Sequence, residues 1–551
     1  MVQSFINKSR ALLESENKSI LSAAFIIAAS YLASALLGLV RNHLLAARFF
    51  GGLEADLDVY FAAFVLPDTI FQLLVVGAVS AAFIPLFQES AKESYTKAYE
   101  LANAALTFIG GLMFVFTVLL FIFARPVADL ITHYDGRQLD VMANLIRLMS
   151  TAQLFFTISA FLTGILQARR RFLIPAIAPL LYNLGTIIGI LLLSKQIGIY
   201  AAGVGVVLGA LLHFLIQIPF VIRLGFRPHL TLNFSHTPLF TMLKLMPPRA
   251  LSLGIEQIER YIAVNITSLL AAGSLSIFSF ARQLYVLPIS LFGVSLGQAS
   301  FPSLSDEASS PSRREEFIKV LNKTILQVCF FSLPASVLVL VLRVPLVRLA
   351  FGAKNFPWEA TLLTGRVLAS LAITITLVAV GHVLTRAFYA LKDTRTPLII
   401  ATSTMIVFVV SSYYLSRVQN LGVLGVTIGM SISNIVDFLL LYYFLRRRLG
   451  ALRISHRILW MIATSFFTGL ALWLPMRLLD QFVFDTTRTI PLILLTLTVS
   501  SVGFMVYLVF SKIFQIEEFS DVVAMFKHLG NWRKVLSRSD EVIETSVDSN
   551  S

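Results

Sequence analysis

Apolar runs of about 20 residues, each bounded by charged or turn-forming residues, recur along this chain from end to end. A run of that length, wound at about 1.5 Å per residue, spans the hydrocarbon of a bilayer. Inside hydrocarbon each backbone N–H and C=O must be satisfied by the protein, and a helix does this within a single segment. Composition points the same way: 57% of residues are hydrophobic and 13% charged, against roughly a quarter charged in soluble domains. The sequence therefore predicts an all-α polytopic membrane protein of about fourteen transmembrane helices. Their expected centres are Ile27, Leu73, Phe114, Phe155, Ile187, Leu208, Val264, Leu291, Val337, Ala372, Val407, Ile435, Phe467 and Leu497.

The net charge of +14 would suit nucleic acid if it were gathered on one face, but the cations fall in short loops between apolar runs, where they orient a chain in the membrane. With a cytoplasmic N-terminus the even-numbered connections should carry them. Those connections hold Lys92 and Lys97; Arg169, Arg170 and Arg171; Arg223 and Arg227; Arg313 and Arg314; Lys392 and Arg395; and Arg446, Arg447, Arg448 and Arg453. The odd connections are poorer, with Arg48, Arg137, Lys195, Lys354, Arg417, Arg477 and Arg488 spread one or two at a time. Both termini are thus expected in the cytoplasm, and nucleic acid is not an expected partner. The apolar run after Lys8, Arg10 and Lys18 is too long for a signal-peptide core and lacks a small-residue cleavage site, so it should remain as the first span. The lone Cys329 allows neither an intrachain disulfide nor a cysteine metal site, and no metal or cofactor is expected.

The chain repeats itself. Leu162-Thr163 through Ala168, with Pro175 beyond, returns as Leu384-Thr385 through Ala390 with Pro397, at a constant offset (384 − 162 = 397 − 175 = 222). Gly203-Val204 matches Gly425-Val426 at that offset, and Val65-Leu66-Pro67 recurs as Val286-Leu287-Pro288. In one order and near one offset, these matches argue for duplication. Both copies precede a basic loop, so the unit should hold an even number of helices. The expected division is an N-lobe at 1–225 (helices 1–6), a C-lobe at 226–450 (helices 7–12), helices 13–14 at 451–513, and an interfacial helix with a disordered cytoplasmic tail at 514–551. Two pseudo-symmetric six-helix lobes would enclose a central cavity. In the tail, Phe519, Val522, Val523, Phe526 and Leu529 form an apolar stripe opposite Glu518, Asp521 and Lys527.

Ionisable residues inside helices are costly in hydrocarbon unless they face a bundle interior or wet cavity. Arg41 and Arg282 stand out, each on a stripe with small or polar residues: Ser34 and Gly38 before Arg41, Ser276 and Ser279 before Arg282. A guanidinium fork suits an anion such as phosphate and stays charged at any accessible pH. Helix 7 carries Glu256, Glu259 and Arg260 on one face, where Glu256 can pair with Arg260 or the carboxylates can couple transport to a proton or cation. Pro247-Pro248 ahead of them should break or kink the helix. No phosphate-binding loop, HExxH or nucleophile elbow is present, so transport rather than catalysis is the expected activity.

In addition, the sequence resembles the MurJ/MviN family of lipid II flippases, within the multidrug/oligosaccharidyl-lipid/polysaccharide exporter superfamily. The matching stretches are Gly38–Arg41 with Ala47–Gly51, Asp58–Phe64 leading to Leu66-Pro67, Gly77–Pro85, Ala272-Gly273-Ser274, Arg282-Gln283-Leu284, Gly293–Gly297 with Phe301–Ser305, and Phe388–Pro397. The resemblance implies alternating-access movement of a polyprenyl-pyrophosphate-linked peptidoglycan precursor across the bacterial cytoplasmic membrane. Its implied partners are that precursor, membrane lipids and other cell-wall synthesis proteins. It aligns Arg41 and Arg282 with family arginines and Asp58 with an acidic family position; the residue pattern adds Ser34 to that substrate site, and Arg249, Arg260 and Lys244 could compensate for family charges this chain lacks. This chain departs from the family at Ala35, which stands for Arg, Asn42 for Asp, Phe71-Gln72 for Arg-Arg and Val76 for Glu. The alternatives are export of another lipid-linked saccharide and a membrane scaffold that transports nothing.

Overall fold

The computed structural model describes residues 20–231, 237–309, 313–450, 456–486 and 488–520; the side chains of 20–28, 80–81, 237, 247–253 and 255–256 are outside that description. Among the described residues the regular elements are all helical. The chain divides into two compact units, one reaching Asn265 and the other beginning at Ile266.

The first unit holds α1 (Ile20–Phe49), α2 (Glu54–Phe71), α3 (Ile84–Glu93), α4 (Tyr95–Ile131), α5 (Gly136–Ala168), α6 (Leu173–Ile197), α7 (Tyr200–Leu215), α8 (Ile218–Arg223) and most of α9 (Thr237–Ser268). Its core gathers Val75, Phe83, Phe87, Leu101, Phe161 and Ile165, with Phe226 and Met242. The second holds α10 (Ser274–Pro288), α11 (Ser295–Glu307), α12 (Arg314–Val341), α13 (Arg343–Phe351), α14 (Trp358–Ala372), α15 (Ile375–Ala390), α16 (Arg395–Tyr413), α17 (Val423–Leu449), α18 (His456–Phe482) and α19 (Thr489–Ile513). Phe317, Leu321, Phe330, Val383, Phe388 and Leu445 form its core, and α18 packs on α12.

Among the described residues eleven helices are long and apolar enough to cross a membrane, or twelve if α14 and α15 form one span bent by 42°. This count does not reach the expected fourteen. Two further helices, α1 with 30 residues and α9 with 32, have the length, but α9 carries Lys244, Arg249, Glu256, Glu259 and Arg260. The expected centre at Ala372 falls on the bend itself. There Thr374 (φ −99°, ψ 0°) leaves helical geometry, and its N–H and hydroxyl both donate back to Leu371 O at 2.9 Å. The expected break at Pro247-Pro248 does not occur, since α9 runs through both prolines; each removes one N–H without ending the helix.

The repeated motif carries a repeated geometry. After Ala168 the chain closes α5 with Arg170 at φ +55°, Arg170 N–H donating to Gln167 O and Arg171 N–H to Leu166 O. After Ala390 it closes α15 with Lys392 at φ +59°, Lys392 N–H donating to Tyr389 O and Asp393 N–H to Phe388 O. Both are Schellman caps with a basic residue in the left-handed position where glycine is usual. Close helix pairs recur as well: α6 meets α7 after Gly198 (φ +57°), and the π-helical end of α16 meets α17 after Gly422 (φ +56°). A β-carbon on Gly189 would sit 2.8 Å from Gly205 N, and one on Gly429 would sit 2.6 Å from Ser412 N.

The expected interfacial helix lies outside the described residues apart from its start. Described here are Phe514 to Ser520, in which Phe519 packs on the second unit's core and Glu518 is 7% exposed, 3.8 Å from Arg457, rather than on a solvated face. Burial follows from its position on the first helical turn after a bend at Gln515 (φ +52°), which turns the chain onto α18.

Replacement of Gly189 by Val should force α6 and α7 apart and cost about 1–3 kcal/mol. Gly111→Val, with open space around its β-carbon position, should leave the thermal midpoint of detergent-purified protein unchanged. Equal midpoints for the two variants would refute the close-packing account.

Candidate functional site

Inside the first unit, α1, α2, α6 and α9 bring one polar patch together. Arg41, midway along the described part of α1, donates from Nη1 to Asn183 Oδ1 at 3.2 Å and from Nε to Asn42 Oδ1 at 3.2 Å. Asn183 in turn donates from Nδ2 to the Ser34 hydroxyl at 3.1 Å and to Ser34 O at 3.2 Å. One turn separates Ser34 from Gly38 and another separates Gly38 from Arg41, so this face of α1 is small enough for the amide of α6 to reach it. The Arg41 guanidinium also lies 5.9 Å from the centre of the Tyr182 ring. Its partners among the described residues thus include two neutral amides and Tyr182, and Tyr60 also interacts with it electrostatically.

Arg260 is different. Its Nη1 donates to Asp68 Oδ2 at 2.8 Å, with the arginine side chain 38% and the aspartate 15% exposed. Gln72 also hydrogen-bonds Asp68. The expected partner, Glu256, has a side chain outside the described residues, but Asp68 already matches the Arg260 charge. Tyr182 interacts electrostatically with both Arg41 and Asp68, which links the two halves of the patch. Nearby on α2, Thr69 hydroxyl donates to Val65 O at 2.7 Å and also approaches Gln257 Oε1 at 3.4 Å. Arg260 is thus matched by Asp68, whereas the hydrogen bonds of Arg41 go to neutral amides.

The other sequence-predicted residues lie elsewhere. Asp58 is 3% exposed and interacts with Tyr134; ten residues along α2 from Asp68, it lies about 15 Å away along the helix axis. Arg282 is half-buried on α10 in the second unit. One turn further, Tyr285 hydroxyl meets Thr374 Oγ1 at 3.3 Å and accepts from Asn434 Nδ2 at 3.1 Å. Glu259 is half-buried beside Arg260, Lys244 is exposed, and the Arg249 side chain is outside the described residues. The residues that reasoning from sequence missed are Tyr182, Asn183 and Gln257, neutral side chains whose signal was only their polarity inside apolar helices.

A family model described as lipid II flippase MurJ matches residues 46–506. The chain belongs to the lipid II flippase MurJ family. A protein of Bdellovibrio bacteriovorus described as "Probable lipid II flippase MurJ" is 28% identical over 451 residues, covering 80% of this chain and 85% of that one. The lipid II flippase MurJ of Burkholderia cenocepacia is 27% identical over 427 residues, covering 76% and 82%. A solved structure of lipid II flippase MurJ in an inward closed conformation superposes with a TM-score of 0.74 at 24% identity, covering 91% of this chain and all of that one. The MurJ fold is therefore that of this chain.

Within this MurJ family member, Asp68→Asn and Arg260→Gln should each destabilise the protein by about 1.5–3 kcal/mol, because each leaves a charge without its partner. The double variant should cost less than the sum of the singles in thermal unfolding of the detergent-purified protein. Strict additivity would mean that the pair does not form in the membrane protein.

Proposed function

We propose that this protein moves lipid II, a polyprenyl-pyrophosphate-linked peptidoglycan precursor, from the inner to the outer leaflet of the bacterial cytoplasmic membrane by alternating access. On this reading both termini are cytoplasmic, two six-helix lobes at 1–225 and 226–450 form the transport body, and helices 13 and 14 are additions to it. The observation that carries the reading is Arg41: a guanidinium on an apolar helix whose hydrogen bonds among the described residues go to neutral amides, which a pyrophosphate oxyanion can outcompete. Desolvation strengthens such a contact, and the Asn183 and Tyr182 side chains hold the guanidinium in place before the ligand arrives.

Arg282 is proposed as the second arginine of the substrate site and Ser34 as its support. Arg260 serves it through position, since Asp68 cancels its charge; Asp58 is assigned to the same site from the family resemblance, and Arg249 as compensation for the family charges this chain lacks. Glu256 and Glu259 remain the proposed place for ion or proton coupling. Other cell-wall synthesis proteins are proposed partners.

The departures at Ala35, Asn42, Phe71, Gln72 and Val76 favour one second reading, export of a different lipid-linked saccharide. Gln72 illustrates it: a neutral amide bonds Asp68 where the family has arginine, and Arg260 supplies the cation instead.

Complementation of a conditional lipid II flippase mutant tests these readings. Wild type should restore growth, whereas Arg41→Ala and Arg282→Ala, present at equal membrane levels, should not. Rescue by all three would sink the arginine assignment; failure of well-expressed wild type would move the substrate to another lipid-linked saccharide.

A further inference from the structure

In the second unit a cavity of about 400 Å³ opens where α13 ends and α14 and α19 begin. Three cations line it: Arg348 from α13, Lys354 from the loop after α13, and Arg488 at the N-cap of α19. Arg348 and Lys354 flank the end of α13, and Arg488 joins them from the start of α19 only through the fold. The Arg348 guanidinium lies 5.5 Å from the Trp358 ring centre, which fixes it against the wall. Arg488 pairs with Asp485 at 3.5 Å, but with side chains 81% and 56% exposed, that pair is solvated and weak. The wall also holds Thr486, whose hydroxyl donates to Asp480 at 2.7 Å, so the cations share the rim with carboxylates.

Two helices also point their N-termini at the space. Trp358 is the first residue of α14, of 15 residues, and Thr489 the first of α19, of 25; neither helix has a side-chain cap. Their leading N–H groups carry partial positive charge and favour an anion. Neither feature follows from membrane orientation. On the proposed topology Lys354 and Arg488 belong to odd connections, the face that holds few cations, so the positive-inside tendency does not account for their convergence.

We propose that this cavity is a binding site for a phosphate group. A tetrahedral oxyanion presents oxygens in several directions, matching cations and N–H donors that arrive from three segments, whereas a planar carboxylate would engage one of them well. The group is either inorganic phosphate or the phosphate of a lipid head group lying in the same leaflet. The site is separate from Arg41 and does not depend on which lipid-linked substrate is transported.

The test uses the full-length protein. In one arm, protein in phosphatidylcholine nanodiscs is dialysed against radiolabelled inorganic phosphate at low ionic strength. In the other, protein purified from vesicles containing phosphatidylglycerol is examined by native mass spectrometry for retained lipid. Binding in the first arm identifies the free ion, and retention in the second alone identifies the head group. In whichever arm binds, the double variant Lys354→Gln/Arg488→Gln should weaken binding by about tenfold or more, and Lys195→Gln, an exposed cation of another odd connection, should not. Both substituted residues are exposed, so folding is preserved. Absence of binding in both arms, or a double variant that binds like wild type, overturns the proposal. The complementation experiment reports on transport independently of either result.

Discussion

A backbone carbonyl without a donor is the expensive object in a membrane protein, and much of this structure is arranged around that cost. At three places where a helix departs from regular winding, a side chain from a neighbouring helix or the same turn donates to a backbone oxygen. The π-helical segment Ile289–Val294 follows Pro288, and the carbonyl of its last residue accepts from Arg386 Nη1 at 2.7 Å. Gly297 makes this possible, because a β-carbon there would occupy the guanidinium's place. In α4, Phe123 leaves helical geometry ahead of Pro126, and Arg147 on α5 donates to Phe121 O at 3.0 Å. Thr374 performs the same service at the 42° bend between α14 and α15. Bends near the middle of helices are what a transporter requires for motion, and each here is tied to an identifiable donor.

The same accounting separates the arginines, which look alike in a hydropathy profile. Arg386 and Arg147 spend donors on backbone oxygens and belong to the scaffold. Arg260 spends its charge on Asp68. Among the described residues the hydrogen bonds of Arg41 go to amides, with tyrosines beside it, and none of these partners is a carboxylate. A positive charge kept in an apolar setting without a carboxylate is energetically justified when an anionic ligand supplies the counter-charge during part of a cycle.

The fold was legible because the bilayer imposes a coarse rule on sequence: apolar length and loop charge mark helices before any packing is considered. Even the repeat could be read, since Leu162-Thr163 and Leu384-Thr385 lead to caps of equal geometry at Arg170 and Lys392. What escaped the reading has a common cause. The α14–α15 bend depends on where one threonine's hydroxyl turns, the continuity of α9 on how two prolines are absorbed, and the burial of Glu518 on a turn at Gln515. The candidate site was legible in its charged members and obscure in its neutral ones. Arg41 announces itself in an apolar run, whereas Tyr182 and Asn183 acquire meaning only once α6 is placed against α1.

The two basic caps show how local strain and global orientation can be served by one residue. A non-glycine residue in the left-handed region costs about 1–2 kcal/mol relative to right-handed geometry, and glycine would remove that cost at both Arg170 and Lys392. A cation at a helix C-terminus gains from the helix dipole, and one in a cytoplasmic loop opposes transfer across the membrane during insertion. At the second cap the arrangement is reinforced: Asp393 accepts from Thr396 N–H at 3.0 Å and from its hydroxyl at 2.8 Å, and it pairs with Arg448 at the end of α17. Burial opposes ionisation of Asp393, yet these bonds and the Arg448 charge together hold its carboxyl below the ordinary carboxylate range. Its contribution to stability is therefore complete above the unfolded-state pKa and is lost only as pH falls through the lower, folded value, so the clamp stays intact at neutral pH. Strain at Lys392 is thus set against a clamp one residue away that ties α15, α16 and α17 at a single end.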